Sequence, residues 1–458
     1  MIISLPKRSE VSKEDTWDLA KLFPNDAAWE DSLAAFEKRI GGFEEFKGTL
    51  ADSAQALLSC LEYDSATDRL AERLGNYAYL KTTEDQSNSD YQRMLGRFQN
   101  IATRAGEAAS FIRPEILALD EATIQTYLKA PTLELFHLQL ERLLRYKKYT
   151  LSDREEQLLA MQGEMAGASG KIFRQLLDSD LKFGQVENEK GETVELTQST
   201  LSQFLQSPDR NVRRTAFHQF YEQFVAHENT FAAALQGSVQ KDVYYARARG
   251  YESCLQSALY DDNVPKTVYE NLIATVRKHL PTVHAFYDLR RRKMGLEDIH
   301  HYDTYVPILS DIEKHHEWDQ AVDVVIDSLA PLGSDYTNVL REGLLGRWCD
   351  RYPNEGKQSG AFSYGTYDGD PYIMMNYQPT VLRDLFTLTH EAGHSMHTHF
   401  SVNHQPYEYH NYTIFVAEVA STFNEQLLTK QLLKNATDDR EAAYLINNEI
   451  DDIRATIV

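Results

Sequence analysis

Thr387-Leu388-Thr389-His390-Glu391-Ala392-Gly393-His394-Ser395-Met396-His397 carries two histidines four residues apart, with a glutamate directly after the first. In a helix of 3.6 residues per turn, His390 and His394 lie one turn apart on one face, where two imidazole nitrogens can bind a single zinc ion. Glu391 is rotated by about 100° from His390, so its carboxylate reaches a water on the metal and not the metal itself. A metallopeptidase needs that arrangement. The cation acidifies the water and polarises the scissile carbonyl, while the carboxylate carries the proton to the leaving amine.

The flanking residues support a helix. Leu382, Leu385, Phe386, Ala392, Gly393 and Met396 form one apolar stripe, mostly at spacings of three and four, and the histidines stand to one side of it. Zinc needs a third protein ligand. The pattern H-E-x-x-H-x-x-G-x-x-H is excluded, because His397 stands at its glycine position and Phe400 at its last histidine. A downstream glutamate is the alternative, and Glu408, Glu418 and Glu425 are the candidates. Glu408 sits in a loop beside Pro406. Glu418 and Glu425 belong to the apolar run from Tyr412 to Leu428, which reads as a well-buried helix where an unpaired acid costs several kcal/mol. Glu418 reads as the more enclosed. Glu425, two turns further along the same face, suits a carboxylate that orients a ligand.

His390-Glu391-Ala392-Gly393-His394-Ser395-Met396-His397, followed by Phe415-Val416-Ala417-Glu418-Val419-Ala420-Ser421-Thr422-Phe423-Asn424-Glu425, resembles the M3 metallopeptidases, the oligoendopeptidase F branch above all. The resemblance implies one zinc ion per chain on His390, His394 and Glu418, with Glu391 as the general base and His397 supporting the ligands. It also implies a mainly α, multi-helix, two-lobed peptidase with a small β-sheet next to the zinc helix. A deep channel between helical lobes would admit oligopeptides and exclude folded proteins.

Composition narrows the function classes. A net charge of −22 argues against nucleic acid or anionic membrane as a partner. No apolar run reaches 18 residues, so no transmembrane helix is expected. The N-terminal stretch Met1-Ile2-Ile3-Ser4-Leu5-Pro6-Lys7-Arg8 is too short and polar for a signal peptide. Three separated cysteines, Cys60, Cys254 and Cys349, form no disulfide framework, and a bacterial cytoplasm is the expected location.

Along the chain, helical periodicity predicts helices over residues 29–40, 53–68, 70–82, 90–112, 122–128, 133–144 and 153–177. Asn25 and Asp26 are candidate caps for the first of these. A short hairpin is expected around Asn188-Glu189-Lys190-Gly191, and it marks a division between an N-terminal helical domain, 1–190, and a catalytic domain, 191–458. Helices resume over 201–225, 230–249 and 268–287, ending in Arg290-Arg291-Arg292-Lys293, four charges expected on a solvated face. The adjacent pair His300-His301 points two ways and is not expected to bind metal.

Residues 357–377, rich in glycine and tyrosine with a turn at Asp368-Gly369-Asp370-Pro371, predict two strands just before the motif helix. An edge strand there can hold an extended peptide by β-augmentation. The resemblance places Gly360 and Ala361 at that edge, and Tyr364 and Tyr367 are candidate substrate contacts. The final amphipathic helix stops at Val458, whereas relatives in this family continue for more than a hundred residues, which close the channel and donate histidine and tyrosine hydrogen bonds to the substrate. The expectation is a zinc endopeptidase of short oligopeptides. The alternatives are a catalytically incomplete zinc- or peptide-binding relic, a chain completed by a separate partner that supplies the missing lobe, and a related exopeptidase.

Overall fold

A computed structural model describes residues 5–309 and 314–457, and helices dominate them, as expected. The chain divides into two compact units, Met1–Lys147 with Ile312–Leu445, and Lys148–Asp311 with Ile446–Val458. The division expected near residue 190 falls inside the second unit. The predicted hairpin, β1 (Gln185–Glu187) and β2 (Thr193–Glu195), is antiparallel and turns at residues 188–191. Its Val186, with Leu181, Phe183 and Leu196, packs against Phe204, Val212, Ala216 and Phe220 of the following helices, so hairpin and helices share one core.

The second unit corrects the reading of the four basic residues. They complete the last turn of the helix Lys266–Lys293, where consecutive side chains diverge. Arg290 therefore points inward, is 2% exposed, and donates to the carbonyls of Thr304 and Val306 at 3.1 and 2.6 Å.

In the first unit, Asn25 caps the helix Asp26–Arg39 by accepting the Ala28 N–H. The two helices expected over 53–82 are one, Ala54–Glu84. Asp68 and Arg69 sit on its exposed side and do not interrupt it.

Three short strands form the sheet beside the motif: β3 (Cys349–Asp350), β4 (Phe362–Tyr364) and β5 (Tyr372–Met374). Their order is β3-β5-β4, with β5 parallel to β3, antiparallel to β4, and Ile373 opposite Ser363. The strand β3 was not expected, since two residues show no alternation. The motif helix, Leu382–His404, lies on this sheet with Leu385, Leu388, Ala392 and Met396 in the core. Trp318, Val322 and Val325 from one flanking helix join that core, as do Leu340 and Leu344 from another.

A buried charge cluster ties the N-terminal segment to the sheet. Arg8 pairs with Asp350 and with Glu84, which also accepts the Trp17 indole N–H at 2.6 Å. Lys357 pairs with Asp350 at 2.6 Å, both side chains being 1% exposed, and donates to the carbonyls of Tyr352 and Met375 at 2.7 Å. Asp350→Ala leaves buried Lys357 without its carboxylate and Arg8 with Glu84 alone, and is predicted to lower stability by about 3–5 kcal/mol. Arg69→Ala breaks a surface pair with Asp368 and a cation–π contact with the Tyr367 ring, and is predicted to cost about 1 kcal/mol. Urea denaturation of the two variants beside the parent checks the contrast.

Candidate active site

The motif helix presents two adjacent faces to the site. His390 and His394 share one and Glu391 and Ser395 the other, each pair one turn apart. Against this helix packs the glutamate helix, Ile414–Lys434, and the two backbones touch at Gly393. A Cβ at Gly393 would stand 2.5 Å from the Ser421 Cα and 2.7 Å from the Ala420 carbonyl oxygen, so no other residue fits without separating the helices. Asn424, 1% exposed, reinforces the crossing by donating to the Tyr336 hydroxyl at 2.9 Å and reaching the Thr389 carbonyl at 3.5 Å.

That crossing brings Glu418 to the histidines. The Nε2 atoms of His390 and His394 are 3.2 Å apart, and Glu418 Oε2 lies 3.3 Å from each. Two atoms bound about 2.0–2.1 Å from a tetrahedral zinc stand about 3.3 Å apart, so the triangle has the edges of a zinc coordination face. No other group of three or more such donors lies close enough for a metal among the described residues. The Ser421 hydroxyl holds Glu418 by donating to Oε2 at 2.8 Å.

Glu418 is not enclosed, contrary to the expectation. Its side chain is 62% exposed, against 18% for Glu425. The glutamate helix packs through Ser421, Asn424, Leu428 and Leu432, and leaves Ile414, Phe415, Val419 and Phe423 exposed. The apolar run therefore did not signal burial around Glu418.

The surrounding groups have distinct environments. Glu425 Oε1 stands 3.5 Å from His390 Nδ1, on the side of the ring away from Glu418. Burial would lower the His390 pKa, but the Glu425 hydrogen bond and charge, with Glu391 and Glu418, hold it above the usual imidazole value. Burial lowers that of His394. The Glu391 carboxyl, on a residue 8% exposed, is pushed up to about 7 by burial, against the pull of His390 and of the nearby Ser363 backbone N–H. A dication beside it would favour the ionised form.

The other sequence candidates take different places. His397 stacks on Tyr412, with ring centroids 3.6 Å apart, and its Nδ1 is buried without a hydrogen-bond partner. Gly360, at a φ of +88°, and Ala361 lead into the edge strand β4, where Tyr364 packs against Tyr79. Tyr367 is not brought to the histidines. Its ring meets Tyr407 and His410, and its hydroxyl donates to the Gln405 carbonyl, beyond the far end of the motif helix. His300 contacts Asp298 and takes no part in the cluster. The sequence reading missed Ser363, Asn424 and Tyr336, whose partners come from distant segments. Ser395 was legible in principle, since it follows Glu391 by one helical turn.

A helical scaffold that brings paired histidines on one helix against a carboxylate on the next defines a metallopeptidase architecture. The comparisons agree. Residues 203–458 match the sequence profile of peptidase family M3, and residues 115–183 match that of oligopeptidase F. Oligopeptidase PepF of Bacillus subtilis (strain 168) is 40% identical over 457 residues, 99% of this chain and 68% of that protein. A Chlamydophila abortus protein of known crystal structure superposes with a TM-score of 0.90 at 35% identity, covering 98% of this chain and 76% of its own. The crystal structure of oligoendopeptidase-F from Enterococcus faecium gives a TM-score of 0.67 at 31% identity, over 94% and 72%. The chain belongs to peptidase family M3 and is a metallopeptidase.

Gly393→Ala is predicted to force the two helices apart at about 1–3 kcal/mol of stability and to weaken metal binding at least tenfold. Thermal unfolding and competition with a chromophoric chelator measure the two effects.

Proposed function

We propose that the chain is a zinc-dependent endopeptidase that cleaves internal bonds of short oligopeptides. The observation that carries this reading is the near-equilateral triangle of His390 Nε2, His394 Nε2 and Glu418 Oε2. Two imidazoles and one carboxylate form a donor set that zinc accepts with a position left open for chemistry. A zinc ion held there supplies Lewis acidity, making water nucleophilic at neutral pH and polarising the scissile carbonyl.

The chain's own groups do the rest. Glu391 takes a proton from the attacking water on its carboxylate and passes it to the leaving amine. His390 keeps its proton on Nδ1, directed at Glu425 Oε1 3.5 Å away, which fixes the tautomer with Nε2 free to bind metal. β4 is an edge strand of its sheet, and an extended peptide backbone pairs along it, beside Gly360, Ala361 and Tyr364. The names of the relatives, an oligopeptidase and an oligoendopeptidase, support the oligopeptide and internal-bond parts of this reading. The matches run over 98–99% of the chain and lend no support to a separate partner chain or to a catalytically incomplete relic.

No helix among the described residues is long and apolar enough to cross a membrane. A cytoplasmic location in bacteria is part of the proposal, and so is the division into sequence modules near residue 190.

Glu391→Gln is predicted to keep stoichiometric zinc and lose at least 10³-fold in turnover. Glu418→Ala is predicted to lose zinc, and Glu425→Ala to retain it with affinity reduced by about 10–100-fold. Zinc content by atomic emission together with peptide turnover reads all three. Turnover by Glu391→Gln contradicts the base assignment, and zinc lost from Glu425→Ala but kept in Glu418→Ala exchanges the two carboxylate roles.

A further inference from the structure

Glu391 and Ser395 lie one turn apart on the motif helix, and Ser363 of β4 lies against that face. The Ser363 backbone N–H lies close enough to the Glu391 carboxyl to favour its ionised form. The Ser363 hydroxyl lies 2.7 Å from the Ser395 hydroxyl, which in turn lies 3.2 Å from the Pro371 carbonyl oxygen. A carbonyl only accepts, so the single Ser395 hydroxyl proton goes to Pro371, and Ser363 donates its own to Ser395. Ser395 is 0% exposed, so these bonds do not compete with solvent. Pro371 directly precedes β5, the strand paired with β4. One buried hydroxyl thus holds both strands of the antiparallel pair against the helix that carries the base.

We propose that Ser395 and Ser363 form a latch that positions Glu391. The hydroxyl pair sets the height of β4 on the motif helix, and that height sets how closely the Ser363 N–H approaches the Glu391 carboxylate. The two hydroxyls are taken up by each other and by Pro371, so both serines act as positioning residues. The inference rests on Glu391 being the general base. It assigns a purpose to a contact that the sequence does not show, because residues 363 and 395 meet only through the strand register.

Removing a hydroxyl loosens the carboxylate without deleting it, so turnover falls while substrate and metal binding hold. Ser363→Ala keeps the backbone N–H and removes only the latch. The expected result is a kcat lower by about 10-fold, with KM and zinc content within about twofold of the parent. Ser363→Thr restores the hydroxyl and is expected to recover most of the lost kcat. Ser395→Ala lowers kcat similarly, and the double variant is no slower than the slower single, since each single already opens the latch. Glu391→Gln is assayed in parallel. If Glu391→Gln is inactive while Ser363→Ala keeps the parent kcat, or if the two serine effects multiply in the double variant, the latch is wrong and the base assignment stands. If Glu391→Gln turns over normally, the base assignment itself fails. Melting temperatures of the singles within a few degrees of the parent exclude a general loss of structure.

Discussion

The approach of two helices at a residue without a side chain governs this site. Gly393 lets the glutamate helix come within direct backbone contact of the motif helix, and that closeness places Glu418 Oε2 3.3 Å from both imidazoles. A side chain at this position would hold the backbones apart, and a carboxylate that is a few ångströms too far cannot complete a metal site. The rest of the first unit braces the crossing. Asn424 stitches the helices together, Leu428 and Leu432 continue the contact, and the core under Leu385, Leu388, Ala392 and Met396 fixes the motif helix on its sheet.

Charge makes the same site costly without a cation. Three carboxylates, Glu391, Glu418 and Glu425, converge on two half-buried histidines. Burial alone drives the Glu391 carboxyl toward neutrality, which would remove the base. A bound dication offsets that tendency and repays the repulsion among the acids. In the proposed function, metal binding, folding of the crossing and activation of Glu391 as base form one coupled equilibrium, in which weakening any one weakens the others.

Much of this was legible in the sequence, for reasons that separate local from non-local information. The i, i+4 histidines, the glutamate after the first and the apolar stripe behind them are periodic features of one helix, and the structure keeps each of them. The glycine- and tyrosine-rich hairpin before the motif announces itself through its turn residues. The exposure of Glu418 was misread because hydrophobicity along a run does not say which face is covered. The covered face of that helix is its serine, asparagine and leucine side, and the phenylalanines and valine beside Glu418 lie outside. The helices expected over 53–68 and 70–82 are one, because Asp68 and Arg69 sit on the exposed side of a continuous helix. Arg290 looked solvated because neighbouring charges gave no sign of the two carbonyls waiting for it. Ser363 and Ser395 could not be paired before the register of β4 on β5 was known.

The central claim is that this metallopeptidase uses zinc to cut peptides internally. The most direct measurement is cleavage of an internally quenched oligopeptide blocked at both ends, by this chain as it stands, before and after chelation and after zinc is restored. The account predicts cleavage at an internal bond, lost with the metal and recovered with stoichiometric zinc. Cleavage that survives complete metal removal, or release of terminal residues only from an unblocked peptide, would contradict it.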